Sequence, residues 1–312
     1  MQTKVLVSVI IPCYNVAPYI EECIDSVLKQ TYKELEIICI DNNSSDNTLE
    51  ILCNQKAKYP ELIIEQEKTA GANAARNKGL LLAKGAWIQF LDADDLLMPG
   101  KIEHQLHLLP ADTNTLAFIA GAWIKRDVKG NEKENNHIEE SVFIAPFINK
   151  SGNTCSNLWN KNFLDKVHGW NLQIKSSQEA DLMLRLVLSG GTFIPDRTPL
   201  TIVRERETGQ ISHRNPADKW KQFVDIRLDY MDQLGRTNAG EYKKWKDHFF
   251  DFLMVSIITL ARYNREEAEK YYKKYIKANW ISANTYGFTK AKVNFIKLFG
   301  LRAFLALTKN NR

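Results

Sequence analysis

No stretch of the 312-residue chain reaches the roughly 18 apolar residues that a membrane-spanning helix needs. The best contender, residues 249–261, is short and carries Asp251. The N-terminus opens on a strand-like segment instead of the basic and then apolar stretch of a secretory signal, so a cytoplasmic location is expected. The five cysteines, Cys13, Cys23, Cys39, Cys53 and Cys155, are odd in number and lack paired metal spacing, which argues against a zinc module. Most sit in apolar patterns and read as reduced core thiols. There is no internal repeat and no low-complexity tract.

What is present is an ordinary globular composition. A hydrophobic fraction of 44% supports a real core, and the length allows one large or two modest domains. The net charge of +5 conceals an asymmetry: residues 1–110 carry 10 Lys+Arg against 15 Asp+Glu, residues 111–213 carry 12 against 12, and residues 214–312 carry 20 against 10. An acidic end that binds nucleotide needs a cation before it can hold phosphate, whereas a basic, aromatic tail suits an anionic membrane surface or another polyanion. A nucleic-acid ligand has only that tail in its favour.

Residues 1–110 alternate between two periodicities. The β-branched run Val7 to Ile11, closed by Pro12, predicts a buried strand; Ile20, Cys23, Ile24, Val27 and Leu28 then follow helical spacing. Strands are predicted again at 35–40, 62–64 and 87–91, with helices through Leu49 and Leu52 and over 72–83. This β-α-β-α-β-α-β order implies a parallel sheet covered on both faces, with right-handed crossovers. Residues 125–140 read as an exposed hairpin or loop, 177–187 as a helix, 198–203 as a strand, and the chain from Pro216 as helical.

The polar residues that interrupt this pattern fall where strands end. Tyr14 and Asn15 follow the first, Asp41 and Asn42 the second, and Asp92-Ala93-Asp94-Asp95 the fourth. Ends of parallel strands share one rim, so the three sets converge on one crevice, and clustered carboxylates there are hard oxygen donors for Mg²⁺ or Mn²⁺ carrying a diphosphate. The alternative reading is local: Asp94 or Asp95 as a cap for a helix begun near Pro99, and residues 41–46 as a turn plus helix cap.

Ile10-Ile11-Pro12-Cys13-Tyr14-Asn15, Asp41 to Thr48, the stretch from Gly71 to Gly79 with Ala75-Arg76-Asn77, and Phe90-Leu91-Asp92-Ala93-Asp94-Asp95 resemble, in order and spacing, the motifs of the family 2 inverting glycosyltransferases. The resemblance covers about residues 5–215. It implies an α/β, GT-A fold, Rossmann-like with a mostly parallel central sheet and flanking helices. The catalytic domain would span 1–215, with a nucleotide-binding half at 1–110 and an acceptor half at 111–215, followed by a basic, aromatic helical region at 216–312. It also implies a nucleotide-sugar donor, here expected to be a UDP-sugar, and a divalent cation, Mn²⁺ or Mg²⁺.

Carried over residue by residue, the resemblance gives the nucleotide Pro12, Tyr14, Asn15, Asp41, Asn42, Arg76, Asn77, Asp92, Ala93 and Arg206. Tyr14 would stack on the base, Asp41 and Asn42 would bond its edge or the ribose, and Arg76 would brace Asp41 or reach the diphosphate. Asp94 would ligate the metal, and Asp92 would face the ribose or the hydrated ion. Asn42 stands where relatives often carry Asp. Gln178-Glu179-Ala180-Asp181-Leu182 resembles the segment that holds the family's catalytic base, and alignment on Leu182 and Arg185 favours Glu179 over Asp181. Taken without the resemblance, both acids are first-turn charges worth about 0.3–1 kcal/mol to a helix.

The segment from Arg204 to Ser212 looks like the family's late loop, which in many relatives carries a His near the position of Arg206. A guanidinium cannot ligate a metal but can grip phosphate, and His213 is a weaker substitute. Trp159 reads equally as a sugar platform or as core. The tail from Val293 to Leu307, with Lys292, Lys297, Arg302, Lys309 and Arg312 among aromatics, has the character of an interfacial helix; docking on a membrane surface stands against packing on the catalytic domain or self-association, and docking would point to a lipid-linked acceptor. Two rivals remain: a binding partner subunit without transfer activity, and a nucleotidyltransferase. The second usually has a Gly-rich phosphate loop after its first strand, where this chain has Pro12-Cys13-Tyr14-Asn15.

Overall fold

The computed structural model describes residues 5–206, 215–281 and 285–308. By its internal contacts the chain divides into two compact units, Met1–Gln173 with Gln178–Gly209, and Ile174–Ser177 with Gln210–Arg312.

The first unit is built on a sheet of seven strands. In chain order its first elements are β1 (Val7–Cys13), α1 (Ile20–Leu28), β2 (Leu35–Asp41), α2 (Thr48–Lys58), β3 (Ile63–Gln66), α3 (Ala72–Leu82) and β4 (Trp87–Phe90). After them come β5 (Leu96–Leu97), α4 (Lys101–His107), β6 (Leu116–Gly121), β7 (Trp123–Arg126), β8 (Glu132–Asn135), β9 (Leu158–Asn160), α5 (Lys161–Lys166), α6 (Gln178–Leu188), β10 (Thr192–Asp196) and β11 (Thr201–Arg204). The central order is β10-β6-β9-β4-β1-β2-β3, with β1 parallel to both β2 and β4.

β1 is central because Val7, Val9, Ile10 and Ile11 are apolar on both faces, and all four are fully buried. Each such side chain contributes about 1.5–3 kcal/mol by leaving water. Pro12 ends the apolar run but not the strand, since it stays in register with Ile40. The sheet is mixed rather than wholly parallel: β9 runs antiparallel to both β4 and β6. A three-residue strand leaves too little periodicity to reveal its direction in sequence.

A smaller sheet, β5-β11-β7-β8, belongs to the same unit, and its β7-β8 hairpin spans 123–135, overlapping the polar segment expected at 125–140. Trp159 is core: it is fully buried against Phe118 and Phe90, with ring centroids 5.2 and 6.3 Å away. Four of the cysteines are buried, and Cys53 is exposed.

The second unit is helical, with α7 (Pro216–Thr237), α8 (Ala239–Leu260), α9 (Arg265–Tyr271) and α10 (Lys290–Thr308), which is broken at Gly300 (φ +84°). Asn215 and Asn238 cap the two long helices through their side chains. Among the described residues no helix is long and apolar enough to cross a membrane.

Candidate active site

The rim at the C-terminal ends of β1, β2 and β4 carries the residues that sequence places there. Tyr14 is 55% exposed, with its ring open to solvent. Asn15, in left-handed conformation (φ +49°), accepts from the Ser45 backbone at 2.8 Å and so braces the turn after β2. The Asn42 side chain donates to the carbonyls of Glu67 and Thr69, both at 2.7 Å, and accepts from Gly71 N–H at 2.7 Å. Asn42 therefore organises the loop into α3. Beside it, Asp41 is 2% exposed and its Oδ1 has no hydrogen-bond partner among the described residues. A buried acceptor without a donor is a costly arrangement that a ligand N–H or O–H would relieve.

Arg76, on α3, braces Asp92 rather than Asp41: Nη2 lies 2.7 Å from Asp92 Oδ1, and the guanidinium stacks 4.6 Å from the Trp170 ring. Its Nη1 also reaches Gln178 Oε1 at 3.3 Å, which ties α3 to the start of α6. The Asn77 amide pairs both ways with the Trp170 backbone at 2.8 Å, which ties α3 to the loop before α6. Pro12 is half-buried, and Ala93 is buried between the acids.

The three carboxylates after β4 differ in role. Asp95 is not a helix cap, since Gly100 occupies the N-cap of α4; its buried Oδ1 accepts from the Arg204 backbone at 2.9 Å and its carboxyl also takes the Cys155 thiol. Asp92, Asp95 and Cys155 each bring one ligand atom within 4.8 Å of the others. Asp95 and Cys155 are occupied by one another, however, and burial drives the Cys155 thiol well above its usual range, so it stays protonated.

The oxygen donors that remain partly accessible are Asp92 and Asp94, with side chains 37% and 18% exposed. Burial, and next to it the charge of Asp92, raises the Asp94 pKa. Arg206 forms an ion pair with Asp94, and its guanidinium lies over Tyr19. Crowded, half-buried carboxylates of this kind suit a hard divalent ion, which would relieve the repulsion that one guanidinium only partly offsets. His213 lies outside the described residues.

Glu179 and Asp181 are separated by their partners. Asp181 accepts from Arg185 Nε at 2.9 Å and Nη2 at 2.7 Å, while Arg185 also binds the carbonyls of Val167 and Gly169. Glu179 Oε2 accepts from Thr154, through its hydroxyl at 3.0 Å and its N–H at 3.2 Å. Burial raises the Glu179 pKa, and the nearby Asp92 adds to the rise; Thr154 and Arg76 moderate it. A partly desolvated carboxylate within electrostatic reach of Asp92 is equipped to take a proton at this rim. Sequence reasoning missed Thr154 and Trp170 and read Cys155 only as a core thiol. Contacts 25 and 63 residues apart leave no periodic signal.

Comparison with known proteins bears on the family and the fold. Glycosyl transferase family 2 matches residues 8–177. The chondroitin synthase of Escherichia coli is 31% identical over 186 residues, which are 58% of this chain and 26% of that one. The matches to three rickettsial glycosyltransferases likewise span only about a third of their length, 27–31%.

In structure, TarS residues 1–349 of S. aureus, solved with UDP-GlcNAc, aligns with a TM-score of 0.62 at 18% identity, over 86% of this chain and 76% of that one. The mannosyltransferase PcManGT of Pyrobaculum calidifontis, solved with GDP-Man and Mn²⁺, aligns at 0.55 with 17% identity, over 98% and 81%. These likenesses establish the GT-A fold. With the family match covering more than half of its length, the chain belongs to glycosyl transferase family 2.

Proposed function

We propose that this protein moves a sugar, with inversion, from a UDP-sugar to a hydroxyl of a glycan or lipid-linked acceptor of the kind used in bacterial surface polysaccharide. The observation that carries the reading is the juxtaposition of Glu179, bound by Thr154 and bearing a raised pKa, with the Arg76–Asp92 pair and Asp94 beyond it. Supporting it, TarS was solved with UDP-GlcNAc, PcManGT with GDP-Man and Mn²⁺, and a relative is a chondroitin synthase.

The exposed Tyr14 ring offers the base a stacking face, and the unpaired Asp41 Oδ1 accepts from its edge or from the ribose. A divalent ion, when bound by Asp94 with Asp92 beside it, would supply positive charge for the diphosphate. Arg206 leaves Asp94 to grip a phosphate oxygen. Glu179 takes the acceptor hydroxyl proton while that oxygen forms its bond to the anomeric carbon. The bond from that carbon to the phosphate oxygen breaks, and its electron pair leaves on the nucleoside diphosphate.

A lipid-linked acceptor is favoured by the second unit. Residues 270–312 hold ten Lys or Arg and no Asp or Glu, and on α10 Leu298, Phe299 and Leu307 are 61–78% exposed. Such a segment suits an anionic bilayer surface.

The test is a thermal-shift and hydrolysis screen of nucleotide sugars with Mn²⁺ and Mg²⁺. A metal-dependent rise in melting temperature with one UDP-sugar, accompanied by slow release of UDP, is expected. Asp94→Asn should abolish both responses while leaving the fold intact. Stabilisation without any turnover, with acceptor present, would instead favour a binding subunit.

A further inference from the structure

We propose that the consecutive pair Thr154-Cys155 is a positioning element that holds the base Glu179 and the metal-facing loop after β4 at a fixed separation. The proposal rests on the assignment of Glu179 as the base. The two residues are neighbours in one turn and take different partners. Thr154 donates its hydroxyl and its N–H to Glu179 Oε2, at 3.0 and 3.2 Å. Cys155 Sγ accepts from the Asp92 N–H at 3.2 Å, and its thiol donates to the Asp95 carboxylate. One peptide unit thus separates the contact to α6 from the contact to the acidic loop, although the partners stand 87 residues apart in sequence (179 − 92).

The turn itself is rigid because the rest of the molecule occupies its polar groups. The Thr154 carbonyl accepts from the Trp159 indole at 3.2 Å, and the Cys155 carbonyl accepts from the Gln89 amide at 2.7 Å. Asn153 Oδ1 takes the N–H groups of Cys155 and Ser156, both at 2.9 Å. Gly152, at φ +74°, admits no side chain, since a Cβ there would lie 1.9 Å from Asn157 Oδ1. Asn157 in turn is anchored to Ser151 and to Gly121 at 3.0 and 2.9 Å. Trp159 and Gln89 belong to the central sheet, so the turn passes the position of the sheet on to both acids.

The arrangement also selects one oxygen. Both Thr154 contacts fall on Oε2, which leaves Oε1 to receive a proton. Losing the hydroxyl leaves only the Thr154 N–H, at 3.2 Å, to hold Oε2 and so loosens the carboxylate about its last torsion, and misplacement of a reacting group by about 1 Å can cost on the order of 100-fold in rate.

The test compares Thr154→Val, Thr154→Ser, Cys155→Ala and Glu179→Gln in the full chain. T154V should lose about 10- to 100-fold in kcat with the donor KM and melting temperature unchanged, and T154S should restore kcat. C155A should weaken Mn²⁺ binding in the presence of UDP several-fold, read directly by calorimetry, while UDP alone binds as before. Should T154V fail to fold, T154A against T154S supplies the same comparison.

Equal kcat in T154V and wild type, T154S as slow as T154V, or unchanged Mn²⁺ binding in C155A would overturn the proposal. If Glu179→Gln keeps full transfer, the base assignment is what fails, and the result with T154V does not alter that.

Discussion

Glu179 and Asp181 stand two residues apart on one helix and do different physical work. Asp181 is held in an ion pair by Arg185, whose Nε and Nη2 both donate to the single oxygen Oδ2, and Arg185 is itself locked to two backbone carbonyls. Glu179 keeps an oxygen open and has a raised pKa because burial disfavours its charge. A base must be ionised to act, so transfer should fall as pH drops through that raised value, at a midpoint above that of an ordinary glutamate near 4.3. A pH profile of kcat/KM checks this, and a limb at or below the ordinary value would contradict it. Glu179→Gln should remove transfer by about 100- to 10,000-fold while UDP still binds, since a base contributes to the chemical step and not to donor affinity. The preference for Glu179 over Asp181 came from a resemblance in spacing; the difference in partners between the two carboxylates is invisible in the sequence.

At the scale of elements, α4 carries an unusual first residue. Lys101 is 1% exposed, with Nζ against Gln89 Oε1 and 3.5 Å from the Asn157 carbonyl, and burial lowers its pKa to about 7. An unfolded lysine titrates near 10.4, so between about pH 7 and 10 the unfolded chain binds one more proton and stability contributed by this site rises with pH. The buried thiols Cys13, Cys23 and Cys155 titrate high and act in the opposite sense at alkaline pH. Comparison with Lys101→Met cancels them. The unfolding free energy of wild type minus that of K101M, from denaturant melts, should grow by up to about 1.4 kcal/mol per pH unit above 7. A difference independent of pH would mean that Lys101 keeps its proton in the fold.

Most elements of the first unit were legible because strand and helix periodicities differ sharply, as in Val7 to Ile11 against Ile20 to Leu28. The antiparallel β9 was not, because three residues carry no direction. The role of Trp159 stayed open for a related reason: an aromatic suits a core and a sugar equally, and only its packing decides.

For the whole molecule, the charge asymmetry has a consequence for surfaces. The basic segment at 270–312 should bring the protein down with vesicles containing anionic phospholipid and leave it in solution with purely zwitterionic ones, and added salt should weaken the association. Replacing Leu298 and Phe299 with Ser, both largely exposed, should weaken it further without lowering the melting temperature. Equal sedimentation with both lipid compositions would dismiss the surface role.

By itself the sequence determined the alternation of elements, the strand-end placement of Tyr14, Asp41 and Asp92 to Asp95, and the family, because periodicity and motif order are local properties of a chain. Only the tertiary structure decided that Arg76 serves Asp92, that Asn42 and Asn77 organise loops, and that Thr154 holds Glu179. Each of those outcomes depends on which side chain meets which across tens of residues, and a hydrogen bond is selected by distance and angle in space rather than by position along the chain.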